Sequence, residues 1–185
     1  LVIVTMLMSV MAAMAYTIYP TPRGVEMTGS TINLGSQVNI VTSNSGAKYV
    51  TRLKEVLANA GLSYTVSTMA KSGIVDVYIG VYGSSDVADN YASTLSDLNR
   101  SIFPSTAGRY DPHILRIDTD GDSGAILLLG DADGSAYYGC ASLEQMLEQA
   151  SLELLPTVKI ADYAHAKYRG IMEGFYGHPY SMESR

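Results

Sequence analysis

The chain has 185 residues, 47% of them hydrophobic and 16% charged, and its 12 Lys+Arg against 18 Asp+Glu leave a formal net charge of -6. A strongly basic nucleic-acid binder needs a Lys/Arg surplus to release counterions from phosphates, and an acidic disordered tail would lack these apolar residues, so both classes are excluded. One cysteine, Cys140, permits no intrachain disulfide; stability has to come from a buried core, and the length allows one domain or one plus a fragment.

Leu1 to Ala15 carries no charge and consists mainly of Leu, Val, Ile, Met and Ala. It is too short to span a bilayer comfortably as a helix, and Ala13 and Ala15 place small residues three and one positions before a cut ahead of Tyr16. The reading is a partial signal peptide over residues 1–15, without its basic start, and hence a secreted, periplasmic or cell-surface protein with no stable membrane insertion after cleavage. A buried N-terminal helix or a lipid-facing anchor is the alternative.

The remaining residues alternate strand-like and helix-like patterns, which predicts an α/β (α+β) domain over residues 16–165, a small mixed sheet packed with helices. Ser30 to Thr42 reads as a strand through Ile32, Leu34, Val38 and Ile40. After Asn44-Ser45-Gly46, residues Val50, Leu53, Leu57 and Ala60 recur at helical spacing from Ala47 to Leu62, with Gly61 as terminator. Tyr64 to Met69 and Ile74 to Tyr82 read as strands, the second so continuously apolar that it suits a central position. A polar helix is predicted from about Asp86 to Leu98. Ile114 to Ile117 and Ala125 to Leu129 form a hairpin about Asp118-Thr119-Asp120-Gly121-Asp122. A helix from Ser135 to about Leu152 follows, then a strand from Thr157 to Tyr163, and Tyr168 to Tyr176 begins a new unit.

Local chemistry is sparse. The acidic loop from Asp118 starts like a calcium loop but has Ser123 at position six and Leu129 at position twelve, where glycine and a bidentate glutamate belong. Gly130-Asp131-Ala132-Asp133-Gly134 lacks the Lys and Ser/Thr of a phosphate-binding loop and reads as a strand-to-helix turn. His113, His165 and His178 lie far apart, so no metal site is assigned and no cofactor is implied. There is no Gly-x-Ser-x-Gly elbow, and Asp131 and Asp133 do not make the converging carboxylate pair of a glycosidase.

The run Tyr168-Arg169-Gly170-Ile171-Met172-Glu173-Gly174-Phe175-Tyr176-Gly177-His178-Pro179-Tyr180-Ser181 resembles the first barrel strand of glycoside hydrolase family 84, the β-N-acetylglucosaminidases that include hyaluronidase-like enzymes and O-GlcNAc hydrolases. Tyr180 stands where the family has tryptophan. Upstream, Leu129 to Asp131, Tyr137 to Gly139, Ser142 to Leu147 and Thr157 to Tyr163 are similar to the small α/β domain that precedes the barrel in families 84 and 20. The resemblance implies a truncated TIM barrel starting over residues 166–185, with Gly174 and Tyr176 bordering an N-acetylglucosamine pocket and the glycine offering its carbonyl to a sugar hydroxyl. The partner is then an N-acetylglucosamine-containing glycan, not a nucleic acid. The family's catalytic pair is Asp-Asp after a later strand, so Glu173 is not assigned a catalytic role and no catalytic residue falls before Arg185; the 185 residues alone are expected to be inactive. Two rivals remain at this level: a secreted non-catalytic carbohydrate-binding or adhesion module, and a family 20 hexosaminidase fragment, whose acids are Asp-Glu.

Overall fold

The computed structural model describes residues 16–103, 108–120 and 123–170. They form β1 (Gly24–Ile32), β2 (Gln37–Val41), α1 (Lys48–Asn59), β3 (Ser63–Ser67), β4 (Val75–Val81), α2 (Val87–Thr94), β5 (Tyr110–Asp120), β6 (Ser123–Gly130), α3 (Asp133–Gln149) and β7 (Leu155–Ala164). The strands make one seven-stranded sheet in the order β1-β7-β5-β6-β4-β2-β3. Its β6, β4, β2 and β3 are parallel, whereas β5 runs antiparallel to both β6 and β7, and β1 antiparallel to β7. This is the mixed α/β architecture that the alternating pattern predicts.

Side-chain alternation divides the core into two. Val38 and Ile40 of β2, Val77 and Ile79 of β4, Leu115 and Ile117 of β5, Ile126 and Leu128 of β6 and Val158 and Ile160 of β7 pack beneath α1 and α3. The intervening residues Val41, Tyr78, Ile114, Leu127 and Leu129 pack beneath α2 and the 3-10 turn Arg100–Ile102. A period of two puts neighbours on opposite faces, so a sheet covered on both sides needs continuous apolar runs. β4 and β6 are those runs, buried almost throughout and adjacent at the centre.

The helices follow their sequence cues. α1 buries Tyr49, Val50, Leu53, Val56 and Leu57, and Gly61 ends it in the left-handed region at φ 78. Asp86 caps α2 by accepting from the Asp89 amide at 2.8 Å. That helix stops at Thr94, short of the predicted Leu98. Leu95 is extended, and the Arg100 guanidinium comes back to the carbonyls of Ala92 and Leu95, satisfying acceptors that a longer helix would have used. α3 starts at Asp133, two residues before the predicted Ser135.

The predicted strand from Ser30 to Thr42 is two strands. The Asn33 carboxamide accepts from the Gly35 amide at 2.8 Å, and Gly35 has φ 61, so the chain turns between β1 and β2. β1 extends back to Gly24 through a mostly exposed stretch without the predicted pattern. It is held to β7 across a register shift between Met27 and Thr31, where Gly29 has φ 83. The buried Thr157 hydroxyl bridges that irregularity, accepting from the Ser30 amide at 3.1 Å and donating to the Ser30 carbonyl at 3.0 Å. The β5–β6 hairpin places Asp120 opposite Ser123, as the spacing predicts.

Candidate functional site

The predicted sugar-contacting residues Gly174 and Tyr176, together with Glu173 and His178, lie outside the described residues. So does most of the predicted strand Tyr168 to Tyr176; its first three residues, Tyr168 to Gly170, belong to no strand. The described chain ends where the motif begins, and that end is tied down. Arg169 forms an ion pair with Asp111 of β5 and lies with its guanidinium carbon 5.1 Å from the centre of the Tyr138 ring on α3.

This anchorage borders a cavity of about 420 Å³. An N-terminal strap, Ile18 to Arg23, closes one side, α3 the other, and the beginning of β5 and the end of β7 form the floor. The strap is held by paired hydrogen bonds from Gln145 and Gln149 of α3 to Tyr19 and Thr17. The Arg23 amide donates to the Asp162 carboxylate at 3.0 Å, and its guanidinium lies 5.8 Å from the Tyr163 ring centre.

His113 and His165, remote in sequence, both line this cavity. His113 is only 6% exposed. Its Nδ1 lies 3.1 Å from the Asp111 carbonyl, which can only accept, so Nδ1 carries a hydrogen. Nε2 is buried and has no partner among the described residues. Asp111 takes φ 51, a left-handed conformation that costs a non-glycine residue free energy and accompanies the register shift between Tyr110 and His113. Sequence reasoning missed this cluster: the one local trace, Arg169 in the motif, gives no indication of its partners on β5 and α3.

The other regions weighed in the sequence are structural. Gly130 lies so close to α3 that an added Cβ would stand 2.2 Å from the Ala136 nitrogen, and Asp131 accepts from the Ser135 hydroxyl, which fits a strand-to-helix turn. Asp118, a candidate calcium ligand by spacing, instead pairs with Arg116. On the α2 face, Asp97 receives both Arg116 and Lys159, and Lys159 also reaches Glu26 at 3.1 Å. Hydrogen bonds from Arg116 and then Lys159 hold the Asp97 carboxyl well below the usual carboxylate range. Cys140 is buried, and desolvation pushes its thiol up to about 12. No helix among the described residues is long and apolar enough to cross a membrane.

Residues 15–163 match the model of glycosyl hydrolase family 20, domain 2, and the chain belongs to that family. The solved structure of CpGH84D is 31% identical over 91% of this chain with a TM-score of 0.80, so the fold is that of a family 84 and family 20-like N-terminal domain. The chain spans 27% of the length of CpGH84D. Slighter fold likenesses are found to a Streptomyces plicatus N-acetyl-β-hexosaminidase solved with thio-NAglucal, at 15% identity, covering 78% of this chain and 26% of that one with a TM-score of 0.42. A GH138 enzyme targeting pectin rhamnogalacturonan II matches at 17% identity, over 66% of this chain and 15% of its own, with a TM-score of 0.40.

Proposed function

We propose that this chain is the N-terminal part of a secreted β-N-acetylglucosaminidase of the family 84 kind, acting on terminal β-linked N-acetylglucosamine. One observation carries the reading. The family-matched domain runs to residue 163, and the glycosidase motif Arg169-Gly170-Ile171-Met172-Glu173-Gly174-Phe175-Tyr176-Gly177 follows it directly, in a chain that resembles CpGH84D over 91% of its length. An α/β domain leading into a glycine-bearing strand is the layout of a barrel enzyme that builds its site at strand C-termini, where a glycine lets a ligand approach the backbone.

On this reading, Gly174 offers its carbonyl to a sugar hydroxyl, Tyr176 borders the same pocket, and an Asp-Asp pair follows Arg185 in the parent sequence. The substrate's own 2-acetamido oxygen attacks the anomeric carbon while one aspartic acid protonates the departing glycosidic oxygen and the other orients the amide. Water then opens the cyclic intermediate with retention, so no enzyme carboxylate becomes the nucleophile. A signal peptide cut before Tyr16 delivers the enzyme across a membrane.

The test is to express the gene through its natural stop codon and assay release of a chromogenic N-acetylglucosaminide. Turnover that disappears when either acid of the downstream pair is replaced by the amide supports the proposal. Absence of such a pair, or turnover by residues 1–185 alone, overturns it. The match to domain 2 of family 20 favours a second reading, a family 20 hexosaminidase, and an Asp-Glu in place of Asp-Asp in the same extended sequence selects it. N-terminal sequencing of the exported protein should give Tyr16 first.

A further inference from the structure

We propose that Asp111 is a positioning residue for the glycosidase motif: through its ion pair with Arg169, the first residue of that motif, it fixes where the glycine-bearing strand leaves the α/β domain. On the β-N-acetylglucosaminidase reading above, on which this role rests, Gly174 is the sugar contact that Arg169 places. Gly174 lies five residues further on, so the chain between them spans at most about 18 Å. Three contacts meet at Arg169. Its guanidinium pairs with Asp111 at the start of β5, lies 5.1 Å from the centre of the Tyr138 ring on α3, and donates to the Ala166 carbonyl at 3.1 Å. A second tie, from His165 Nδ1 to the Gly108 carbonyl at 3.1 Å, holds the same stretch of chain just before it. A planar guanidinium held by a carboxylate at its edge and an aromatic ring at its face has its orientation set, which a lone ion pair does not impose.

Stability does not account for this arrangement. Both side chains of the pair are 35% exposed, and ion pairs so open to water contribute little to folding. Asp111 meanwhile takes φ 51 at the register shift between Tyr110 and His113, a conformation that costs a non-glycine residue free energy. That conformation puts both of its polar groups to use. The Asp111 carbonyl accepts from Nδ1 of the buried His113 at 3.1 Å, and its carboxylate receives Arg169. Asp111 is thus held from the core side by a residue of the sheet while it reaches the departing chain on the other. Strain kept without a matching gain in stability marks a residue retained for where it puts its partner.

The test uses the full gene product, expressed through its natural stop codon, with Asp111→Asn, a change that leaves the left-handed backbone accessible and removes only the charge. The acids of the proposed reaction come from a later strand, so a misplaced Gly174 weakens sugar binding more than the chemical step. KM for a chromogenic N-acetylglucosaminide should rise about threefold or more while kcat stays within about twofold. Partial unfolding does the reverse, lowering the apparent kcat at unchanged KM. In an Arg169→Met background Asp111→Asn should raise KM no further, because its effect passes through the guanidinium. Tyr138→Leu, at an exposed side chain of α3, should move KM in the same direction and remains the test if Asp111→Asn does not fold. An unchanged KM in the folded variants, or effects of Asp111→Asn and Arg169→Met that add, overturn the proposal. Hydrogen exchange at the amides of residues 166–170 needs no turnover: it should accelerate in Asp111→Asn, and by no more in the double variant. A parent protein without hydrolytic activity refutes the proposed function and leaves this measurement to decide the anchor, which exchange unaltered by Asp111→Asn overturns.

Discussion

Gln149 holds Thr17 at both of its backbone groups: the Thr17 amide donates to Oε1 at 2.9 Å, and Nε2 donates to the Thr17 carbonyl at 2.8 Å. One helical turn earlier on α3, Gln145 does the same for Tyr19, at 2.7 and 3.0 Å. Residues four apart share one helix face, so two carboxamides present the donor and acceptor spacing with which a neighbouring strand would meet the strap.

Replacing both glutamines with alanine is expected to loosen the strap without unfolding the sheet. Each exposed pair contributes on the order of 1 kcal/mol. Hydrogen exchange at the Thr17 and Tyr19 amides should accelerate while that at Leu128, in the centre of the sheet, is unchanged. Unaltered exchange at the strap would show that burial of Ile18 alone holds it.

Two glycines near the start of α3 should respond oppositely to alanine. At Gly130 a Cβ would meet the Ala136 nitrogen at 2.2 Å and the Ser135 carbonyl carbon at 2.7 Å, backbone atoms that move only with the helix. Gly130→Ala should therefore destabilise by about 1–3 kcal/mol or more. A Cβ at Gly134 has nothing within 4 Å, and Gly134→Ala should stabilise by up to about 1 kcal/mol through helix propensity. Urea midpoints of the two variants check both signs.

Asp97 gives a pH signature. Its carboxyl is depressed in the folded chain by Arg116 and Lys159, so between its folded and unfolded pKa the unfolded chain binds more protons and stability rises with pH. The contribution is complete above the ordinary carboxylate value, roughly pH 4, and is lost as pH falls through the folded value. Its side chain is 49% exposed, and solvent screening limits the gain to about 1 kcal/mol. Asp97→Asn should lower the melting temperature at pH 7, and the gap to the parent protein should narrow steadily as pH falls below about 4; a gap of constant size across the acid range would refute the assignment.

Cys140 is expected to resist thiol reagents. The thiol is buried and pushed up to about 12 by desolvation, so thiolate is scarce at neutral pH. Labelling by a disulfide reagent should follow the unfolding transition in urea, and rapid labelling of the native chain would place the α1–α3 interface in error.

The sheet was legible wherever burial imposes a pattern. β4 and β6 are covered on both faces, which leaves unbroken apolar runs, and α1 carries a clean apolar stripe. β1 was not, because it is an edge strand exposed along most of its length and held by pairing to β7 and by the Thr157 hydroxyl. The break at Asn33 to Gly35 carries turn residues of its own, Asn33, Gly35 and Ser36, but the spacing of Ile32, Leu34, Val38 and Ile40 keeps the strand period running across it. The cavity was illegible for a different reason: Ile18, His113, Tyr138 and Arg169 come from four parts of the chain, and only the sheet order brings them together. Gly174 and Tyr176 were reached by resemblance and not by local pattern.

β1 has a single neighbour, β7, and their hydrogen bonding at Ser30 and Thr157 joins positions 127 residues apart. During synthesis the earlier strand therefore waits for almost the whole sheet to emerge from the ribosome before it can be paired. Pairing β1 with β7 lays the first and last strands of the described sheet side by side, so the route by which the chain leaves at Gly170 runs beside the strand farthest from it in sequence.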